Sequence, residues 1–310
     1  MIMKTIQRFI RTGICAAALI LLMGMNCIAQ KKIEVTNIQA KMSKGMQPCY
    51  FVEIPHAKLK TVQQNWIKKL QEGSKIKAKE INQEIVLAKA LKPEFSTDTV
   101  NIYSILIQKD SAISMDVFIE FDNTYFKPSG DKTDLASEKK DNSIKNFIRS
   151  FAVDQYKLAV TGELEGEQEK LETLQNDLKK LVKEQENMEK DNSSLDNDID
   201  KSEREIKEIE ANIDLKNKAI LDNNTSMLTI TWDADKKAAQ DKQKGLEKDK
   251  NKLEKDRSRA KDEISSDKSK IDKNKNEIED NKKEQEDMTE QITKQTEVVT
   301  KVQTKLDGIK

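Results

Sequence analysis

Residues 164–220 read LEGEQEKLETLQNDLKKLVKEQENMEKDNSSLDNDIDKSEREIKEIEANIDLKNKAI, and apolar residues recur in this stretch every three and four positions. One seam position is filled by Leu164, Leu171, Leu178, Gln185, Asn192, Ile199, Ile206, Ile213 and Ile220. Its companion carries Leu174, Leu181, Met188, Leu195 and Ile209, with Glu167, Ser202 and Lys216 as exceptions. The phase holds without a slip, as a left-handed supercoil against a partner helix requires. The stretch predicts a long coiled coil.

Beyond an interruption near Ile230 the phase resumes. Ala239, Leu246, Leu253, Ala260, Met288 and Val302 take one seam position, and Ile264, Ile271, Ile278, Ile292, Val299 and Leu306 the other. Asp267, Asn274, Asn281, Gln285 and Gln295 make this second seam more polar. Folding the chain back at about Ile230 sets Ile213 against Leu246, Ile206 against Leu253, Leu195 against Ile264, Met188 against Ile271 and Leu181 against Ile278. The same register sets Asn192 against Asp267, Gln185 against Asn274 and Lys216 against Gln243, so polar residues share layers. A shift of one heptad pairs nearly as well. The alternative is a parallel homodimer; short connections favour antiparallel neighbours, so an intramolecular hairpin with arms on the order of 90 to 100 Å is expected.

The interruption, residues 222–235, is itself unusual. Asp222-Asn223-Asn224 predicts the end of the first helix, and Met227-Leu228-Thr229-Ile230-Thr231-Trp232 follows, rich in apolar, β-branched and aromatic residues where a plain loop is polar. In a hairpin this segment is the tip, and Met227, Leu228, Ile230 and Trp232 are the candidate partner-binding residues, suited to a protein or to a membrane interface. Two other readings stand beside it: an apolar cap over the end of the coil, or an edge strand returned to a globular sheet, against which the unbroken phase across Asn192 argues.

At the N-terminus, Lys4, Arg8 and Arg11 lead into the apolar run Ile14 to Met23, and Cys27-Ile28-Ala29 offers small residues for cleavage before Gln30. Residues 1–29 therefore read as a signal peptide, with export to the periplasm or cell surface as the expected location; a retained anchor is the alternative, for which the run is short. Gly24-Met25-Asn26 before Cys27 lacks the residues that lipid attachment favours. Lys+Arg and Asp+Glu each number 55, so net charge is zero at 35% charged residues. Overall charge then attracts neither nucleic acid nor an acidic surface. After cleavage Cys49 stands alone, a small buried hydrophobe on a strand.

Residues 30–160 predict a globular α+β domain, followed by the coiled coil over 161–310. Ile113, Met115, Val117, Ile119 and Phe121 alternate with Ser114, Asp116 and Glu120, the pattern of a half-buried strand over Ala112 to Phe121. Thr99 to Gln108 pairs with it through Asp110-Ser111. Further strands are predicted at Ile33 to Ala40, Cys49 to Ile54, Lys75 to Ile81 and Glu84 to Leu91. A helix over Leu59 to Gln71 carries Val62, Trp66, Ile67 and Leu70 on one face and stops at Gly73. A second begins after Pro128-Ser129-Gly130 and carries Ile144, Phe147, Ile148, Phe151 and Tyr156. The order β-β-α-β-β-β-β-α, an antiparallel sheet with helices on one face, resembles TBP-like or helix-grip folds and implies no function.

The leader ending in Ala29-Gln30, the stretch Phe51-Val52-Glu53-Ile54-Pro55 ahead of a helix with Trp66, and the charged C-terminal helices together resemble exported coiled-coil proteins of Bacteroidetes. That resemblance implies export and no activity. The residues point the same way. The one histidine, His56, has no partner cysteine and no His-Glu-x-x-His spacing, so no metal, cofactor or catalytic residues are expected. Asp196-Asn197-Asp198-Ile199-Asp200 opens like a calcium loop, but Lys201 stands at the turning glycine and Lys207 at the bidentate glutamate, which leaves a solvated helical face. Asp98-Thr99-Val100 and Asp110-Ser111-Ala112 look like O-glycosylation acceptors of that group of proteins, or are ordinary turn residues.

A non-enzymatic cell-envelope scaffold or interaction protein is thus expected, with a protein partner at the tip, membrane contact by the tip and self-association through the coil as further options. The alternative is a periplasmic binding module holding an apolar ligand beneath the Ile144 to Tyr156 helix. More distant is an activator of cell-wall enzymes.

Overall fold

The computed structural model describes residues 32–128 and 134–310. The leader, its cleavage site and the Pro128-Ser129-Gly130 turn beyond Pro128 lie outside them. The chain is α+β, and it divides into two compact units: the described residues up to Gln168 together with Glu297–Lys310, and Glu169–Thr296.

The first unit is built on one antiparallel sheet. Its strands are β1 (Thr36–Met42), β2 (Gly45–Pro55), β3 (Lys79–Ile81), β4 (Glu84–Leu91), β5 (Thr99–Gln108), β6 (Ala112–Phe121) and β7 (Thr124–Tyr125). The order across the sheet is β1-β2-β6-β5-β4-β3, with β7 folded back on β6. Helix α1 (Leu59–Gln71) and the first turns of α2 (Leu135–Met227) cover one face, and the C-terminal turns of α3 (Asp233–Gly308) join them.

That covered face is the main core. Tyr50, Val52 and Ile54 of β2, Ile113, Met115, Val117 and Ile119 of β6, and Val62, Trp66 and Leu70 of α1 meet Ile144, Ile148, Phe151 and Tyr156 of α2. The Trp66 indole donates to the Ser104 hydroxyl at 2.9 Å, which satisfies both polar groups inside the core, while its ring lies 4.7 Å from Phe151. At the other end of the chain Val299, Val302, Leu306 and Ile309 pack into the same cluster. Arg149 fixes this end, donating to the carbonyls of Ile33 at 3.1 Å and Lys310 at 3.0 Å.

Several sequence expectations are corrected. The Ala112 to Phe121 strand is buried on both faces over most of its length, because Phe118 packs with Met42, Cys49 and Tyr103 in a second cluster on the opposite side of the sheet. The strand expected at Lys75 to Ile81 shrinks to three residues, since the backbone N–H groups of Ile76 and Ala78 donate to the side chains of Ser74 and Gln71 and leave the ladder. The first strand is displaced to Thr36–Met42, and β7 is additional. Both β7 and β3 hang on two-residue turns, Asp122-Asn123 and Asn82-Gln83, whose left-handed φ values fit the twist of a tight hairpin.

On the second face the β1–β2 turn is locked down. Ser43 donates to Glu84 through its backbone N–H and its hydroxyl, at 2.6 and 2.8 Å. Lys44 donates to the Tyr103 hydroxyl at 2.7 Å, and Tyr103 and Asn101 donate to Glu120 Oε2 at 2.9 and 3.0 Å.

In the second unit α2 and α3 run antiparallel. Asn274 donates to Asn192 at 2.9 Å, Gln285 donates to Gln185 at 2.8 Å and to Asn281 at 2.6 Å, and Lys216 pairs with Asp249 at 2.7 Å. The coiled coil is therefore an intramolecular hairpin. Its register differs by one heptad from the one expected: Asn192 meets Asn274, not Asp267. The Asn192 and Gln185 layers then join neutral amides, which satisfy one another, whereas the other register encloses the Asp267 carboxylate beside Asn192. Asp267 instead takes Lys270 of its own helix at 2.8 Å. The calcium-loop-like Asp196 to Asp200 lies within continuous helix.

Candidate functional site

The hairpin turn is five residues, Leu228 to Trp232, between the end of α2 and the start of α3. Contrary to expectation, Asp222-Asn223-Asn224 does not stop α2, which continues to Met227. The seam explains why. Asn223 stands seven residues after Lys216 and so occupies a seam position, where it is buried; its amide donates to the Ala239 carbonyl at 3.0 Å and to Gln243 at 3.1 Å. Met227 follows Ile220 by another seven and is half-buried. The hydroxyls of Thr225 and Ser226 donate back to the carbonyls of Leu221 and Asp222, so they follow the helix without breaking it.

The turn closes tightly. The backbone N–H groups of Leu228 and Thr229 donate to the carbonyls of Thr225 and Ser226, ending α2 in three-residue steps. The Lys236 N–H donates to the Trp232 carbonyl, so Trp232 opens α3, and Asp233 and Asp235 place negative charge in its first turn.

Of the four candidate residues, two are thrust into solvent. Leu228 is 86% exposed and Trp232 75%. Met227 and Ile230 are half-buried. Leu221, one heptad before Leu228, is 65% exposed and extends the apolar surface, although the seam pattern gives no reason to pick it out. The turn is thus an apolar knob on a braced base, and Trp232 does not fold over the coil end as a cap.

His56 is exposed, its ring stacked at 6.0 Å from Tyr156. Cys49 is buried beneath the second face, where burial first and the Asp116 carboxylate second push its thiol up to about 12. Among the described residues no group of three or more His, Cys, Asp or Glu side chains could hold a metal ion, and no helix is long and apolar enough to cross a membrane. The chain matches no known protein family and no curated protein.

Proposed function

We propose that this protein is an exported, non-enzymatic scaffold or interaction protein of the cell envelope, in which the coiled-coil hairpin presents the Met227 to Trp232 turn to a protein partner. The observation that carries this reading is the exposure of Leu228 and Trp232 on a turn whose base is held by Asn223. Large apolar side chains left in water are unfavourable for a free chain, and a rigid aromatic anchor is what a binding pocket on a partner rewards. From Glu169 to Met227, α2 travels roughly 90 Å within the hairpin unit, so the turn lies far from that unit's other end.

The binding-module alternative has less support. Ile144, Phe147, Ile148, Phe151 and Tyr156, which would line a ligand pocket, are packed on Trp66 and the sheet.

The test is capture from an envelope extract with the full chain and with a Leu228→Ser, Trp232→Ser double variant. The proposal expects a protein retained by the first and lost by the second. Identical retention by both would overturn it, and binding of protein-free lipid vesicles by the first alone would reassign the turn to a membrane surface.

A further inference from the structure

The sheet of the first unit has two edges, and they are treated differently. At one, β3 is only three residues long, and the β4 strand beyond it is broken by a register shift between Leu87 and Ala90, with Lys89 in a left-handed conformation at φ 53. Short strands, bulges and charges of this kind keep an edge from pairing with another chain. The β1 edge is neither short nor bulged. All seven residues, Thr36 to Met42, pair with β2 in continuous register on one side, and among the described residues no strand lies on the other. The segment reads Thr-Asn-Ile-Gln-Ala-Lys-Met, with no proline and one charge.

We propose that β1 is a self-pairing edge, through which two copies of this chain join antiparallel about a two-fold axis at Gln39. The pairing is complementary to itself. Because 36 and 42 lie symmetrically about 39, this register gives every residue of β1 a partner. Ile38 then faces Ala40 of the second copy, Thr36 faces Met42, and Asn37 faces Lys41. On the second face of the sheet, where Ile38 lies across from Cys49 and where Ala40 and Met42 belong to the second cluster, Ile38 meets Ala40 as an apolar pair and Met42 meets the methyl-bearing Thr36. On the helix-bearing face, where Asn37 donates to Asp141 of α2, the pairs are polar, and Lys41 does not meet Lys41. A slip of one residue would mix the two faces. Ile38, 39% exposed at the rim of the second cluster, gains a covered neighbour.

A single strand pair is small beside the roughly 1,200–2,000 Å² of standard interfaces, so the dimer is reversible and depends on concentration. Two-fold assembly is isologous, and one variant therefore alters both halves of the contact.

The experiment is sedimentation equilibrium of the full chain over a concentration series, for wild type, Ile38→Lys, Ala40→Glu and an equimolar mixture of the two variants. Wild type is expected to rise from 35.5 kDa toward twice that mass. Each variant alone is expected to remain at the mass of one chain. The mixture is expected to regain the dimer, because the ammonium introduced on one chain then faces the carboxylate introduced on the other. A wild type that stays at the one-chain mass throughout, or a dimer unchanged in Ile38→Lys, overturns the proposal; a mixture that fails to recover overturns the register. Should either variant misfold by circular dichroism, Gln39→Cys and Thr36→Cys in a background with Cys15, Cys27 and Cys49 replaced by alanine decide instead. Opposed strand residues lie within disulfide reach, so Gln39→Cys cross-links two chains and Thr36→Cys, facing Met42, does not; equal cross-linking by both overturns the pairing.

Discussion

Asn274 donates its side-chain amide to the side-chain carbonyl of Asn192 across the hairpin, at 2.9 Å, eighty-two residues away in sequence. This contact fixes which heptad of α3 lies beside which heptad of α2. Asn274→Leu should cost about 1–3 kcal/mol, because Asn192 is left partly buried without that donor. Adding Asn192→Leu should recover most of that loss, a non-additivity that a double-mutant cycle in urea will measure. Additive losses would mean that the pair does not set the layer.

At the turn, exposed and buried residues should part company. Leu228→Ser and Trp232→Ser should each change stability by no more than about 0.5 kcal/mol, since neither side chain is packed. Asn223→Ala should cost about 1–3 kcal/mol, because the Ala239 carbonyl and the Gln243 amide lose a buried donor. Thermal unfolding of the three variants compares them directly.

Trp66 and Trp232 are the two tryptophans of the chain, one wholly buried and the other 75% exposed. Trp66→Phe should cost about 2–3 kcal/mol through lost packing and a stranded Ser104 hydroxyl. Its fluorescence should shift to the red, with only the solvated indole remaining. An unshifted spectrum would show Trp232 covered in solution.

Glu120 carries the acid dependence of the β1–β2 lock. Burial opposes its charge, but hydrogen bonds from Tyr103 and Asn101, together with the Lys44 ammonium, outweigh burial and hold its pKa below the ordinary 4.5. A carboxyl with a depressed folded pKa stabilises above the unfolded value and loses that contribution as pH falls through the folded one. Glu120→Gln should therefore be less stable near neutrality and should lose less than wild type on acidification below about pH 4.5. Denaturant midpoints at both pH values will show this as a smaller difference for the variant.

Lys92 works in the opposite sense. Its side chain is fully buried, with the ammonium donating to the Glu72 carbonyl at the end of α1, 2.9 Å away, and burial lowers its pKa from 10.5. The unfolded chain then binds the proton more tightly, so stability should rise with pH between the lowered folded value and 10.5. Lys92→Met, which has no proton to release, should lack this rise in urea melts across the same range.

Much of the fold is legible along the chain. Helix α1 and strands β4, β5 and β6 fall where the alternation and the helical spacing place them, because each sends its regularly spaced apolar residues into the helix-covered core and the pattern records it. Asp122-Asn123 is a hairpin signal that strand alternation alone overlooks, and β7 follows from it. By residue type Asn223 reads as a helix stop, although its place seven residues after Lys216 marks it as seam. Leu221 cannot be singled out from sequence. A leucine off the seam is exposed or covered according to what lies beside it, and the pattern of one helix does not contain that.

By itself the sequence determined the class of this protein: the heptads of α2 and α3 need a partner along their length, and an unbroken phase allows no other packing. Only the tertiary structure decided that the partner is the same chain, that Asn192 meets Asn274 and not Asp267, and that Leu228 and Trp232 stand in solvent. The reason is physical. Registers one heptad apart present nearly equal apolar layers, and the choice falls to hydrogen bonds between neutral amides, whose worth depends on geometry and burial that exist only once both arms are in place.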